Sequence, residues 1–213
     1  MRDLIRSGGR FLGFVVLLLG IAALVLKVFF VDVVTVGHDG MVPTMLIGDR
    51  VLVWRGASLE RNDIAVCRHP LEASRWVMGR VAAADGSAIE LSPRGQLLID
   101  GRAVGRDIRG DELLWRDPET DRSLRVRWGI EEFSDYEEHY FLERTDRLFA
   151  LHGVHATQGL YLLSDNRGHV GEDSRAFGAV PRANCIGQVF MRLWPSERAM
   201  PEGVPHGMLD ILD

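Results

Sequence analysis

The chain has almost no lysine. Of its 25 basic residues, Lys27 is the one lysine and the rest are arginines. No position after 27 can therefore supply an amine as a general base, and arginine cannot replace it because its guanidinium stays protonated. Cysteine is scarce as well. Cys67 and Cys185 alone exclude a disulfide-stapled scaffold. Neither has a second ligand at zinc spacing apart from His69, so no metal or other cofactor is expected. The two cysteines are compatible with a bridge or with free buried thiols, and free thiols are the expected state. Internal repeats and low-complexity tracts are absent. Basic charge is not in excess either: the net charge is −5. Arg2, Arg6, Arg10 and Lys27 stand against Asp3 and Asp32 in the first 34 residues (+2), which leaves −7 on the remainder. An acidic main domain argues against a sequence-independent nucleic-acid binder. With 46% hydrophobic and 26% charged residues, the chain has the composition of a globular protein.

What is present begins with an apolar run. Residues 11–26 carry no charge, and with Lys27 tolerated near one end the run extends to Val31. Twenty-one helical residues span roughly 30 Å, the thickness of the bilayer's hydrocarbon core. The Lys27 ammonium can reach back to the interface along its own stem. Residues 11–31 are thus expected to form one transmembrane helix. A cleaved signal peptide would end its apolar stretch sooner, at a small-residue site. Arg2, Arg6 and Arg10 lie on the N-terminal flank (1–10), which predicts a cytoplasmic N-terminus and a main domain outside the inner membrane.

Beyond the anchor the pattern is mainly β. Strands are predicted at 51–54, 63–67, 76–81, 88–91, 97–99, 161–163 and 186–193. Turn residues separate them at Gly48-Asp49, Gly56, Asp85-Gly86, Pro93-Arg94-Gly95 and Asp100-Gly101. Residues 103–155 are rich in charge and look irregular, like a lobe inserted into a core formed by 35–102 and 156–196. The tail, 197–213, is expected to be loosely packed, with a short docking segment as the alternative.

Five stretches in order carry a resemblance. Gly40-Met41-Val42-Pro43-Thr44-Met45-Leu46-Ile47-Gly48-Asp49 is similar to the Ser-Met-x-Pro-Thr-Leu-x-x-Gly-Asp motif of type I signal peptidases. Arg61-Asn62-Asp63-Ile64-Ala65-Val66 resembles their Arg-Gly-Asp-Ile-Val-Val, and Gly79-Arg80-Val81 their Lys-Arg-Val. Gly95-Gln96-Leu97-Leu98-Ile99-Asp100-Gly101-Arg102 resembles a Gly-x-Leu-x-Val-Asn-Gly-Lys strand and turn. Asp165-Asn166-Arg167 followed by Asp173-Ser174-Arg175 and Gly178-Ala179-Val180-Pro181 resembles Gly-Asp-Asn-Arg-x-x-Ser-x-Asp-Ser-Arg-x-x-Gly-x-Val-Pro. The resemblance implies a coiled β-sheet domain with a smaller inserted lobe, resting on the outer face of the membrane.

It also implies a chemistry that this chain is not equipped to perform. Type I signal peptidases cut Ala-x-Ala sites with a serine nucleophile and a lysine base. Serine needs that base to take its proton, and lysine can do so only with a lowered pKa. By the motifs, the nucleophile position is Gly40 and the base position is Gly79. The oxyanion serine aligns with His38, and the serine that supports the lysine aligns with Gly171. The loop between Arg167 and Asp173 is one residue longer than the family pattern. Met41, Pro43, Thr44, Arg80, Asp165, Asn166, Arg167, Asp173, Ser174 and Arg175 persist as scaffold. A serine protease stripped of its catalytic side chains retains only about 10³ to 10⁴ over water, whereas useful enzymes need roughly 10⁶ or more. No physiological peptidase activity is expected.

Binding needs neither side chain. The resemblance implies a peptide groove between Val34, Thr35, Val36, Gly37 and His38 on one side and Arg75, Trp76, Val77 and Met78 on the other. Strand addition there requires backbone donors and apolar pockets. The expected function is a membrane-anchored, non-catalytic protein. It would bind exported preproteins, signal-like peptides or a secreted or pilus-type protein as an assembly factor or chaperone. The alternatives are an active signal peptidase I with an unorthodox dyad, and a decayed paralogue without a binding role.

Overall fold

In the computed structural model the described residues are 2–92, 96–117, 120–134, 137–145, 151, 153, 155–169, 171–197 and 206–212. Helix α1 (Arg2–Phe29) leads directly into strand β1 (Val31–Thr35). Then come β2 (Arg50–Arg55), β3 (Ile64–Arg68), β4 (Trp76–Ala83), β5 (Ala88–Leu91), β6 (Leu97–Ile99) and β7 (Arg102–Ala103). Next are β8 (Gly105–Arg116), β9 (Ser123–Ser134), β10 (Glu137–Arg144), β11 (His155–Ala156) and β12 (Tyr161–Leu163). Helix α2 (Ser174–Phe177), β13 (Cys185–Trp194) and β14 (Asp210–Ile211) complete the chain. The fold is mainly β with one N-terminal apolar helix.

The main sheet runs in the order β1-β2-β13-β3-β4-β12, with β14 added to β13. Its inward residues, among them Val51, Val53, Ile64 and Val189, form one core with Val36 and Met41 from the segment after β1. A second cluster, with Ala65, Cys67, Val77, Val81 and Leu162, covers the opposite face of β3 and β4. A four-stranded sheet (β11-β5-β6-β7) and a three-stranded sheet (β10-β9-β8) make up the rest.

The apolar part of α1, Phe11–Phe29, is long and apolar enough to cross a bilayer. It ends two residues before the predicted boundary. Val31 is a strand residue paired with Trp54, because β-branched 31, 33 and 34 suit the sheet edge better than another helical turn. Arg55 closes the junction by donating to the Val28 carbonyl and pairing with Asp32.

Three further expectations are corrected. The cysteines are bridged, not free: Cys67 and Cys185 face each other across β3 and β13 and form a disulfide. The region expected to be irregular holds the two longest strands. In β9, Leu124, Val126 and Trp128 alternate with Arg125 and Arg127, a period of two partly hidden by its charges. The tail end is docked: Leu212 is buried in the main core, and Arg192 holds Asp210. The expected turn at Pro93-Arg94-Gly95 and the tail prolines Pro201 and Pro205 lie outside the described residues.

Candidate functional site

Gly40 sits in a short 3₁₀ turn, Asp39–Met41, just after β1. The His38 imidazole caps this turn, its Nδ1 accepting the Gly40 N–H at 3.0 Å. Asn166 fastens the turn from the other side, its main-chain N–H donating to the Gly40 carbonyl (2.9 Å) and its amide to that of Asp39 (3.2 Å). Gly79 lies on β4, opposite Ala65 of β3. Both glycines face one short segment. A Cβ added at Gly79 would lie 3.0 Å from Leu162 Cβ, and one at Gly40 would lie 3.2 Å from Ser164 Oγ. The Gly40 Cβ would also meet His38 Nδ1 at 2.8 Å.

Ion pairs hold that segment from beneath. Arg80 grips Asp165 with two hydrogen bonds, Nε to Oδ1 at 3.0 Å and Nη2 to Oδ2 at 2.9 Å, and donates a third to the Asn62 carbonyl. Thr44 adds its hydroxyl to the same carboxylate. Burial pushes the Asp165 carboxyl up, but the Arg80 charge and hydrogen bonds outweigh it and hold the group below the ordinary carboxylate range. Asp173 accepts from the Ser164 N–H at 3.0 Å and from Arg175, and caps α2. Ser174 Oγ accepts the Leu162 N–H at 2.9 Å. The Ser164 carbonyl receives Arg167. The Ser164 main chain is thus fixed on both sides, whereas its hydroxyl, 0% exposed, has no hydrogen-bond partner.

The inserted sheet is stitched to this loop. Leu142 of β10 donates to the Asp165 carbonyl and accepts from the Arg167 N–H. Arg167 also pairs with Glu131 of β9, beside the buried His139. Burial raises the Glu131 carboxyl, yet Arg167, with His139 and Arg106, brings it well below its usual range. Burial, reinforced by the Arg80 charge, lowers the His139 pKa to about 4.

An apolar groove of about 330 Å³ runs up to this centre. Its walls are Val34, Thr35, Gly37 and His38 on one side and Trp76, Val77 and Met78 on the other, with Val66 and Ile186 between them. Two residues expected in the groove are elsewhere. Val36 is buried in the main core. Arg75 is turned away into ion pairs with Glu172 and Glu72.

The family profile described as "Signal peptidase, peptidase S26" matches residues 9–194. The chain belongs to the signal peptidase family. A protein from Leptolyngbya laminosa described as "Signal peptidase I" is 25% identical over 197 residues, covering 87% of this chain and 79% of that protein. Signal peptidases are membrane-anchored, in keeping with α1, and act on preproteins that carry signal peptides.

Sequence reasoning missed several residues of this site. Ser164 stands where the signal peptidase motif has the glycine of Gly-Asp-Asn-Arg, a substitution that was visible in the sequence. His169, whose ring stacks on that of His38 at 6.1 Å, comes from the lengthened loop. Gly171 in that loop has φ +132° and open space where a Cβ would stand. Val66 and Ile186 flank the bridged cysteines, and only the sheet order brings them to the groove.

Proposed function

We propose that this protein is a membrane-anchored, non-catalytic member of the signal peptidase family that binds an extended peptide segment of exported proteins. Its role is that of an assembly factor or chaperone for a secreted protein, with pilus-type subunits as the narrower candidate. The observation that carries this reading is the contrast between centre and surroundings. Both dyad positions are glycine, and His38, Leu162 and Ser164 close in on the space their side chains would need. The Arg80–Asp165 and Asp173–Arg175 pairs and the apolar groove are nevertheless complete. The Gly40 N–H, a potential oxyanion donor, is engaged by His38. Arg2, Arg6 and Arg10 favour a cytoplasmic N-terminus, which puts the groove on the outer side of the inner membrane.

The test uses the full chain in detergent with a preprotein carrying an Ala-x-Ala site. No site-specific cleavage is expected, and photo-cross-linking should capture the signal segment. Cleavage at the Ala-x-Ala site that survives repeated purification would overturn the reading.

A second reading has one observation in its favour. The unpartnered Ser164 hydroxyl and the His38 imidazole flank the same vacated point, as a substituted nucleophile and base would. Against it, His38 lines the groove and Ser164 does not. Should cleavage be found, Ser164→Ala and His38→Ala must each abolish it if this pair is responsible.

A further inference from the structure

We propose that the groove selects large apolar side chains, at positions i and i+2 of an extended segment, in place of the alanines that signal peptidase substrates present. This rests on the peptide-binding reading above and names the ligand. The groove is continuous with the turn at Gly40, so its occupant lies where the family's substrates lie. Both walls offer strand edge. β1 is the edge strand of the main sheet, and β12 pairs with β4 only from Arg80 to Ala83, leaving residues 76–79 open on that side. An extended chain bound there puts every second side chain on the same face.

Size and chemistry set the preference. The volume of about 330 Å³ compares with roughly 150 Å³ for an engineered cavity that holds benzene. Two ring-sized or branched side chains fit, whereas two methyl groups would leave most of the wall wet. Thr35, His38 and the indole N–H of Trp76 are the polar groups among the described lining residues, and no carboxylate, guanidinium or ammonium is among them. Trp76, 43% exposed, supplies the platform, with the Arg68 guanidinium stacked 4.7 Å from its ring centre. Gly37 keeps the opposite wall low: a Cβ built there meets nothing within 4 Å.

Two capped, uncharged peptides, identical except for Ala-x-Ala against Leu-x-Leu, would be titrated into the full chain in detergent by calorimetry. The leucine peptide should bind at least tenfold more tightly, since even one methylene in an apolar pocket is worth roughly tenfold. Trp76→Ala should reduce that preference severalfold. Gly37→Leu fills the groove from a position with open space and ordinary φ, and should bring the ratio close to one, with near-ultraviolet circular dichroism confirming the fold. Equal affinities for the two peptides, or tighter binding of alanine, overturn the selectivity while leaving peptide binding intact. If neither peptide binds, the peptide-binding reading itself falls, and the selectivity falls with it.

Discussion

Placing serine and lysine at the two glycines tests the proposed loss of the catalytic dyad. In a Gly40→Ser, Gly79→Lys variant, the new Cβ at 40 lies 2.8 Å from His38 Nδ1 and 2.9 Å from Cε1. The ring must swing away and give up the Gly40 N–H, a loss of about 0.5–1.5 kcal/mol. At 79 the neighbour is Leu162 Cβ at 3.0 Å, an atom fixed to the backbone of β12 that no rotamer change can remove. Overpacking of that kind costs about 1–3 kcal/mol. The combined effect, roughly 1.5–4.5 kcal/mol, should lower Tm by roughly 3–18 °C for a chain of this length. No activity is expected from this variant. The lysine nitrogen must come within about 3 Å of the new hydroxyl, and Ser164 Oγ already stands 3.2 Å from the new Cβ. Adding Ser164→Gly clears that space, and His38→Ser returns the family's oxyanion hydroxyl, a donor worth about 10²–10³ in rate. We expect no processing from the two-site variant and measurable processing from the four-site variant in a purified preprotein assay. A two-site variant that cleaves as fast as the four-site one, with an unchanged Tm, would refute the reasoning.

Stability should fall on mild acidification. His139 titrates near 6.5 when unfolded and about 4 when folded, so the unfolded chain takes up the proton first. The loss from His139 begins below about pH 6.5 and reaches about 2 kcal/mol by pH 5, and below about pH 4.5 protonation of Glu131 and Asp165, both held under the ordinary carboxylate range, adds to it. Urea unfolding at pH 7 and pH 5 should show this, and His139→Phe should flatten the dependence. Reducing the Cys67–Cys185 bridge, which closes a loop of 118 residues, should cost up to about 5 kcal/mol, seen as a lower urea midpoint with dithiothreitol. Asp165→Asn leaves Arg80 buried without its counter-charge and should cost about 3–5 kcal/mol, measured the same way. Leu212→Ala, in the docked tail, should cost about 2–5 kcal/mol; an unchanged midpoint would show that the tail contributes nothing.

Several strands of the main and four-stranded sheets were legible because they are short, apolar and bounded by turn residues. The predictions for 88–91, 97–99 and 161–163 coincide with β5, β6 and β12. β8 and β9 were missed because arginines and acids occupy their outward positions and obscure the apolar alternation. Arg80, Asp165, Arg167, Asp173 and Arg175 were anticipated as scaffold, but Glu131 and His139 were not. These lie more than twenty residues before the motif loop in sequence, and only β-sheet stitching at Leu142 brings them to Arg167. The bridge between Cys67 and Cys185 depends on β3 and β13 being neighbours, which spacing does not reveal. Gly40 and Gly79 could be located from motifs alone. Whether the space beside them was open or filled required the side chains of Leu162 and Ser164.

The junction between α1 and β1 makes the chain a ruler. Phe30 is the only residue between the end of α1 and the start of β1, and Arg55 ties the last turn of the helix to Asp32. The wall residues Val34, Thr35, Gly37 and His38 lie three to seven residues after Val31, so at about 3.3 Å per extended residue they stand within roughly 10–23 Å of chain from the start of β1. Under the proposed peptide-binding role, an occupant of the groove is met within a short length of chain from the end of the apolar helix. A segment still embedded in the membrane, or just leaving it, falls within that reach, whereas a folded domain held farther out does not.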